Sequence, residues 1–105
     1  MAQFTVYLNG NPASKKTYPY LMDVQSALLD SLETRLVIPL ALQSRFERTS
    51  ITRLNPVVRI KTDSCIVLTQ QMAAIRTNAL GSAVCDCLTD RQEILSAIDI
   101  LITGI

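Results

Sequence analysis

The sequence predicts a mainly β domain, a small barrel or sandwich of short strands with one C-terminal α-helix over about residues 89–103. Three observations carry this prediction. Short apolar segments alternate with polar residues at the period of a strand, clusters of turn-forming residues separate them, and the period changes to that of a helix near the C-terminus.

At the N-terminus Phe4, Val6 and Leu8 alternate with Thr5, Tyr7 and Asn9, the pattern of a half-buried strand. Asn9-Gly10-Asn11-Pro12 breaks it, and Ala13-Ser14-Lys15-Lys16 continues as an exposed loop. Residues Tyr20 to Gln25 form a second strand and Leu36 to Leu40 a third, whose Pro39 suits an edge or a bulge because proline lacks an amide hydrogen. Gln43 to Arg53, rich in Arg, Ser and Thr, is expected at the surface. Strands resume at Val57-Val58-Arg59-Ile60 and from Cys65 to Thr69, with Lys61-Thr62-Asp63-Ser64 as the turn between them. Two further extended pieces fall around Ala74-Ile75-Arg76 and Asn78-Ala79-Leu80. Thr89, with Gln92 three residues on, has the pattern of a capping box, and Asp90 suits the positive end of the helix dipole. Ile94, Leu95, Ile98, Leu101, Ile102 and Ile105 make one apolar stripe, and Gly104 is placed to end the helix in a left-handed conformation.

Composition narrows the functional classes. The 105 residues are 49% apolar, enough for a single domain over 1–105 that buries its own core without disulfides or metal. There is no His, which removes Ser–His and Cys–His nucleophiles, His metal ligands and the side chain that titrates near neutrality. Ten basic against nine acidic residues give a net charge of +1, which argues against a protein that lives on phosphate backbones. Cys65, Cys85 and Cys87 are odd in number and lack the spacing of a zinc knuckle, so they read as small buried or half-buried apolar residues in a reducing compartment. No catalytic cluster, metal site or cofactor is expected. The N-terminus lacks a signal-peptide pattern and no apolar stretch reaches membrane-spanning length, so the expected location is the cytoplasm.

The end of the C-terminal helix stands out. A helix C-terminus carries partial negative charge that Lys or Arg commonly offsets. Here the last basic residue is Arg91, while Asp99 adds negative charge beside Leu101, Ile102 and Ile105. Such an apolar, anionic tip suits an arginine supplied by another molecule. Lys15, Lys16, Arg45 and Arg48 are expected to be solvated, with attraction of an acidic partner segment as the alternative, and Asp23 is expected to be buried with a partner or placed at a dimer seam.

Several strings, in order and in register, match a known family: Gln3-Phe4-Thr5-Val6-Tyr7, Asp23-Val24-Gln25-Ser26, Leu28-Leu29-Asp30, Arg35-Leu36-Val37-Ile38-Pro39-Leu40, Asn55-Pro56-Val57-Val58 and the ending Ala97-Ile98-Asp99 … Gly104-Ile105. Nearly end to end, the chain resembles the CcdB toxins of toxin–antitoxin modules. The resemblance implies an SH3-like antiparallel barrel with a C-terminal helix, assembled as a homodimer. It implies a toxin that catalyses nothing, binds the DNA gyrase A subunit, traps the gyrase–DNA cleavage complex, and is neutralised by a CcdA-like antitoxin. No direct nucleic-acid binding and no membrane contact are implied.

Position by position, the resemblance assigns gyrase contact to Leu28 and Leu29 and to Asp99, Ile102, Thr103, Gly104 and Ile105. The tip departs from the familiar family pattern of an Asn followed by Phe-Trp-Gly-Ile: Asp99 stands for the Asn, Ile102 for the Phe and Thr103 for the Trp. In relatives that Trp stacks on a gyrase arginine, a contact worth roughly 0.5–2 kcal/mol, and Asp99 could return part of it by pairing with the same guanidinium. Two other readings stand beside this one. A MazF/Kid-like endoribonuclease toxin would need an Arg–Asp pair such as Arg59 with Asp63, and a non-toxic relative would keep only antitoxin binding or operon regulation.

Overall fold

A computed structural model of the chain describes residues 2–46 and 51–104. Seven strands, β1 (Thr5–Asn9), β2 (Tyr20–Asp23), β3 (Thr34–Leu42), β4 (Val57–Ile60), β5 (Asp63–Val67), β6 (Ala73–Arg76) and β7 (Leu80–Asp86), form one antiparallel sheet. Their order is β4-β5-β3-β2-β1-β7, with β6 also paired to β3. The sheet curls into a half-barrel, a single helical turn α1 (Gln43–Phe46) follows β3, and the long helix α2 (Arg91–Thr103) ends the fold. The mainly β architecture with one C-terminal helix is the one the sequence predicted.

Register fixes the two faces. Val6 pairs with Met22 and Met22 with Ile38, so these three side chains share one face. Phe4, Leu40, Val58, Ile60, Cys65 and Val67 join them in the main core, which Ile94 of α2 completes. The opposite face carries Leu21, Val37, Ala41 and Ile66. Phe4 has a left-handed backbone, φ 69°, which costs roughly 1–2 kcal/mol for a residue with a Cβ. Its amide donates to the Asp23 carbonyl and its own carbonyl accepts from Cys87, while its ring is buried, and these gains hold the strained residue in place.

Several expectations are corrected. Pro39 sits in β3, an inner strand with neighbours on both sides. Its carbonyl accepts from the Leu68 amide, so its ring nitrogen faces that same side, where β3 changes partners from β6 (residues 34–37) to β5 (residues 40–42). No ladder hydrogen bond is lost at that junction, which is why an inner strand tolerates the proline. The β4–β5 turn is shorter than expected: Ile60 already pairs with Asp63, and Lys61 (φ 56°) and Thr62 make a two-residue hairpin loop. Asn78 and Ala79 lie in a 3-10 turn rather than in an extended piece, and only Leu80 of that expected piece is in a strand, β7, which runs on to Asp86. Leu8 is 45% exposed, on the bulged stretch of β1 against β7. There Gly81 lies so close to β1 that an added Cβ would be 2.9 Å from the Leu8 carbonyl oxygen.

Candidate functional site

The helix α2 begins at Arg91, after a 3-10 turn over Leu88–Asp90. Thr89 therefore lies in that turn, Asp90 takes the N-cap position without a side-chain cap, and the expected capping box does not form. Ile94 and Ala97 are fully buried, and Leu95 and Ile98 pack half-buried against the core. Beyond them the stripe leaves the protein: Leu101 is 37% exposed and Ile102 71%. Asp99, Thr103 and Gly104 are exposed as well. Gly104 adopts the left-handed conformation the sequence called for, φ 76°, and its amide donates to the Ile100 carbonyl at 2.9 Å.

At this tip the Thr103 hydroxyl turns back and donates to the Asp99 carbonyl at 2.6 Å, so Thr103 presents its methyl group outward. Among the described residues the Asp99 carboxylate has no partner, and no basic side chain lies in the last turn of α2. An apolar knob beside an uncompensated anion at the negative end of a helix is a surface that attracts a cation with a flat apolar face. Ile105 lies outside the described residues.

Leu28 and Leu29 sit on a 3-10 turn, Ala27–Leu29, in the excursion between β2 and β3. Ser26 caps it, its hydroxyl accepting from the Leu28 amide at 3.2 Å. Leu28 is 93% exposed, an unusual outlay of apolar surface, with Leu29 at 48% and Leu32 at 49% alongside. Beneath the turn lies a buried polar network. Arg35, with no exposed surface, donates from Nε and Nη2 to the buried Asp23 carboxylate (2.9 and 2.7 Å) and from Nη1 to Asp30 (2.8 Å). Gln25 ties the turn to β3, donating to the Leu29 carbonyl and accepting from the Leu36 amide. Burial opposes the charge of Arg35, but its bonds to Asp23 and Asp30 outweigh this and raise its pKa above the ordinary value. The exposed leucines thus stand on a rigid base.

Among the described residues the structure does not join the two groups through an extensive contact within one chain: the larger contacts of α2 are with the 3-10 turns at 69–71 and 88–90. Asp23 is buried with a partner, one of its two expected positions, and that partner, Arg35, was not foreseen. Leu32 was also overlooked, although its spacing from Leu28 and Leu29 was visible as a third apolar residue in a polar excursion. Lys15, Lys16 and Arg45 are exposed as expected, and Arg48 lies outside the described residues.

Arg59 and Asp63 are on opposite faces of the β4–β5 hairpin. Asp63 pairs with Ile60, which points into the core, whereas Arg59 pairs with Ser64 and points away. They do not form the joint site that the ribonuclease reading required. The cysteines behave as packing residues: Cys65 and Cys87 are buried, Cys85 half-buried. Burial pushes the Cys65 thiol up to about 11 and the Cys87 thiol to about 12, so both are neutral at physiological pH and poor nucleophiles. Among the described residues no group of His, Cys, Asp or Glu could hold a metal ion. Nor, among the described residues, is any helix long and apolar enough to cross a membrane.

A half-barrel that commits its polar network to holding leucines outward, and ends in an apolar helix tip, has the build of a domain that acts through contact with another macromolecule. Comparison with known protein families matches residues 3–104 to the family described as CcdB protein. The chain belongs to the CcdB family, toxins of toxin–antitoxin modules.

Proposed function

We propose that this toxin acts in the cytoplasm as a homodimer that binds the A subunit of DNA gyrase and stabilises the gyrase–DNA complex in its cleaved state, and that a CcdA-like antitoxin neutralises it. The observation that carries the reading is the exposed end of α2, where Ile102 is 71% exposed beside Asp99, whose carboxylate has no partner among the described residues. Leu28 and Leu29 supply a second apolar contact, and Thr103, Gly104 and Ile105 complete the tip.

The mechanism needs no bond chemistry from the toxin. A two-fold dimer presents two helix tips related by the same symmetry as the gyrase A dimer. If those tips bind the opened arrangement more tightly than the resealed one, the population shifts toward broken DNA by that difference in affinity. The separation of Arg59 from Asp63 weakens the ribonuclease alternative, and no observation favours it.

The test is a cleavage assay with purified gyrase, ATP and supercoiled plasmid. The expected outcome is linear DNA, covalently held by gyrase, accumulating with added toxin. Shortened transcripts in cells with intact plasmid would support a ribonuclease, and neither effect would leave a relative that only binds its antitoxin.

A further inference from the structure

Between β2 and β3 the chain is exposed from Ala27 to Thr34 and carries three leucines, Leu28, Leu29 and Leu32. They are three of the nine exposed large apolar side chains among the described residues, gathered within five consecutive positions. Leu32 belongs to neither hydrophobic core cluster, and the hydrogen bond that closes its turn joins backbone groups alone. Folding gives no reason for an apolar side chain at that position.

Two linked turns set where Leu32 stands. The Leu29 amide donates to the Ser26 carbonyl at 3.0 Å, and the Leu32 amide donates to the Leu29 carbonyl at 3.2 Å. The second bond holds the Cα atoms of Leu29 and Leu32 within about 7 Å of each other. The same Leu29 carbonyl also accepts from the Gln25 side-chain amide at 3.0 Å, so both leucines are tied to one point of the polar base. Charge along the segment is locally matched: Asp30 is engaged by Arg35, and Glu33 lines one small pocket together with Arg76 of β6. The three leucines form an apolar ridge.

We propose that Leu32 is a further contact residue for the gyrase A subunit, extending Leu28 and Leu29 into a three-leucine ridge that docks on an apolar patch of that subunit. The inference rests on the gyrase reading above. A surface that covers Leu29 reaches Leu32 as well, because the two are neighbours across one turn and share its anchor. Leu32 is 49% exposed, so such a contact removes apolar area from water that the fold leaves exposed. The ridge also differs in chemistry from the end of α2. Attraction of a cation by Asp99 is screened by salt, whereas burial of leucines between matched charges is not.

The experiment is calorimetric titration of the gyrase A breakage–reunion domain with the intact protein and two variants, Leu32→Ala and Leu32→Gln. The first shortens the side chain; the second keeps its length and makes it polar. Each variant is expected to bind roughly fivefold or more weakly than the parent, at an unchanged thermal midpoint. That ratio is expected to be the same at about 50 and about 500 mM salt, conditions between which most screening of exposed charges sets in. Parent-like affinity in both variants overturns the role of Leu32 and leaves the gyrase reading standing, whereas no binding by the parent overturns both. A ratio that shrinks toward one at high salt overturns the apolar contact. Sedimentation equilibrium of the variants without gyrase supplies the last control: weakened self-association would place Leu32 between two copies of the chain and overturn the proposal.

Discussion

Arg35 is the residue on which the arrangement of the 23–36 segment depends. A guanidinium with no solvent contact keeps its charge because two carboxylates and the Gln25 carbonyl surround it, and the same bonds fix the turn that exposes Leu28. Replacing Arg35 by Leu leaves Asp23 buried without a counter-charge, an arrangement that costs about 3–5 kcal/mol. Urea denaturation is expected to show this loss, whereas replacing both Asp23 and Arg35 by apolar residues should cost less than the single change. Equal losses in the two variants would mean that the pairing is not what holds the segment. Thr103 illustrates the opposite economy: its hydroxyl is consumed by its own helix, so at the tip it offers a methyl group.

At the scale of elements, α2 divides into a half that folds the protein and a half that faces outward. Ile94 and Ala97 belong to the first, Ile102 and Gly104 to the second. Removing Gly104 and Ile105 is therefore expected to abolish growth inhibition while thermal stability and antitoxin binding persist; undiminished killing would refute the assignment of toxicity to the tip. This division was legible in the sequence, because no cation follows Arg91 while Asp99 adds negative charge beside the apolar residues of the last turn. The strands with clean alternation were legible too. β7 was not, since Gly81, Ser82 and Ala83 give no alternation and its pairing with β1 is bulged. Pro39 misled for a related reason: the rule about proline concerns a lost donor, and register alone reveals that none is lost here. The bond between Asp23 and Arg35 spans twelve residues and two strands, a distance over which a sequence gives no pairing signal.

For the whole molecule, core thiols set an alkaline limit on stability. Unfolded cysteines lose their protons near pH 9, whereas folded Cys65 and Cys87 hold theirs to about 11 and about 12. Below pH 9 both states are protonated and nothing is lost. As pH rises from 9 toward 11–12 the unfolded state releases protons that the folded state retains, so stability falls across that window. Tyr7 and Tyr20, their pKa values also raised by burial, add to the trend. A Cys87→Ala variant is expected to show a shallower decline above pH 9, referred to its own stability at pH 7; an unchanged decline would place the alkaline sensitivity elsewhere.

The role proposed for the exposed end of α2 is to grip gyrase, not to support the fold. Ile102→Glu alters an exposed side chain, so its stability should stay within about 0.5 kcal/mol of the parent. The decisive measurement is calorimetric titration of the gyrase A breakage–reunion domain with parent and Ile102→Glu proteins matched for thermal stability. Saturable binding by the parent and at least a tenfold weaker association for the variant are expected; equal affinities would overturn the role proposed for the tip.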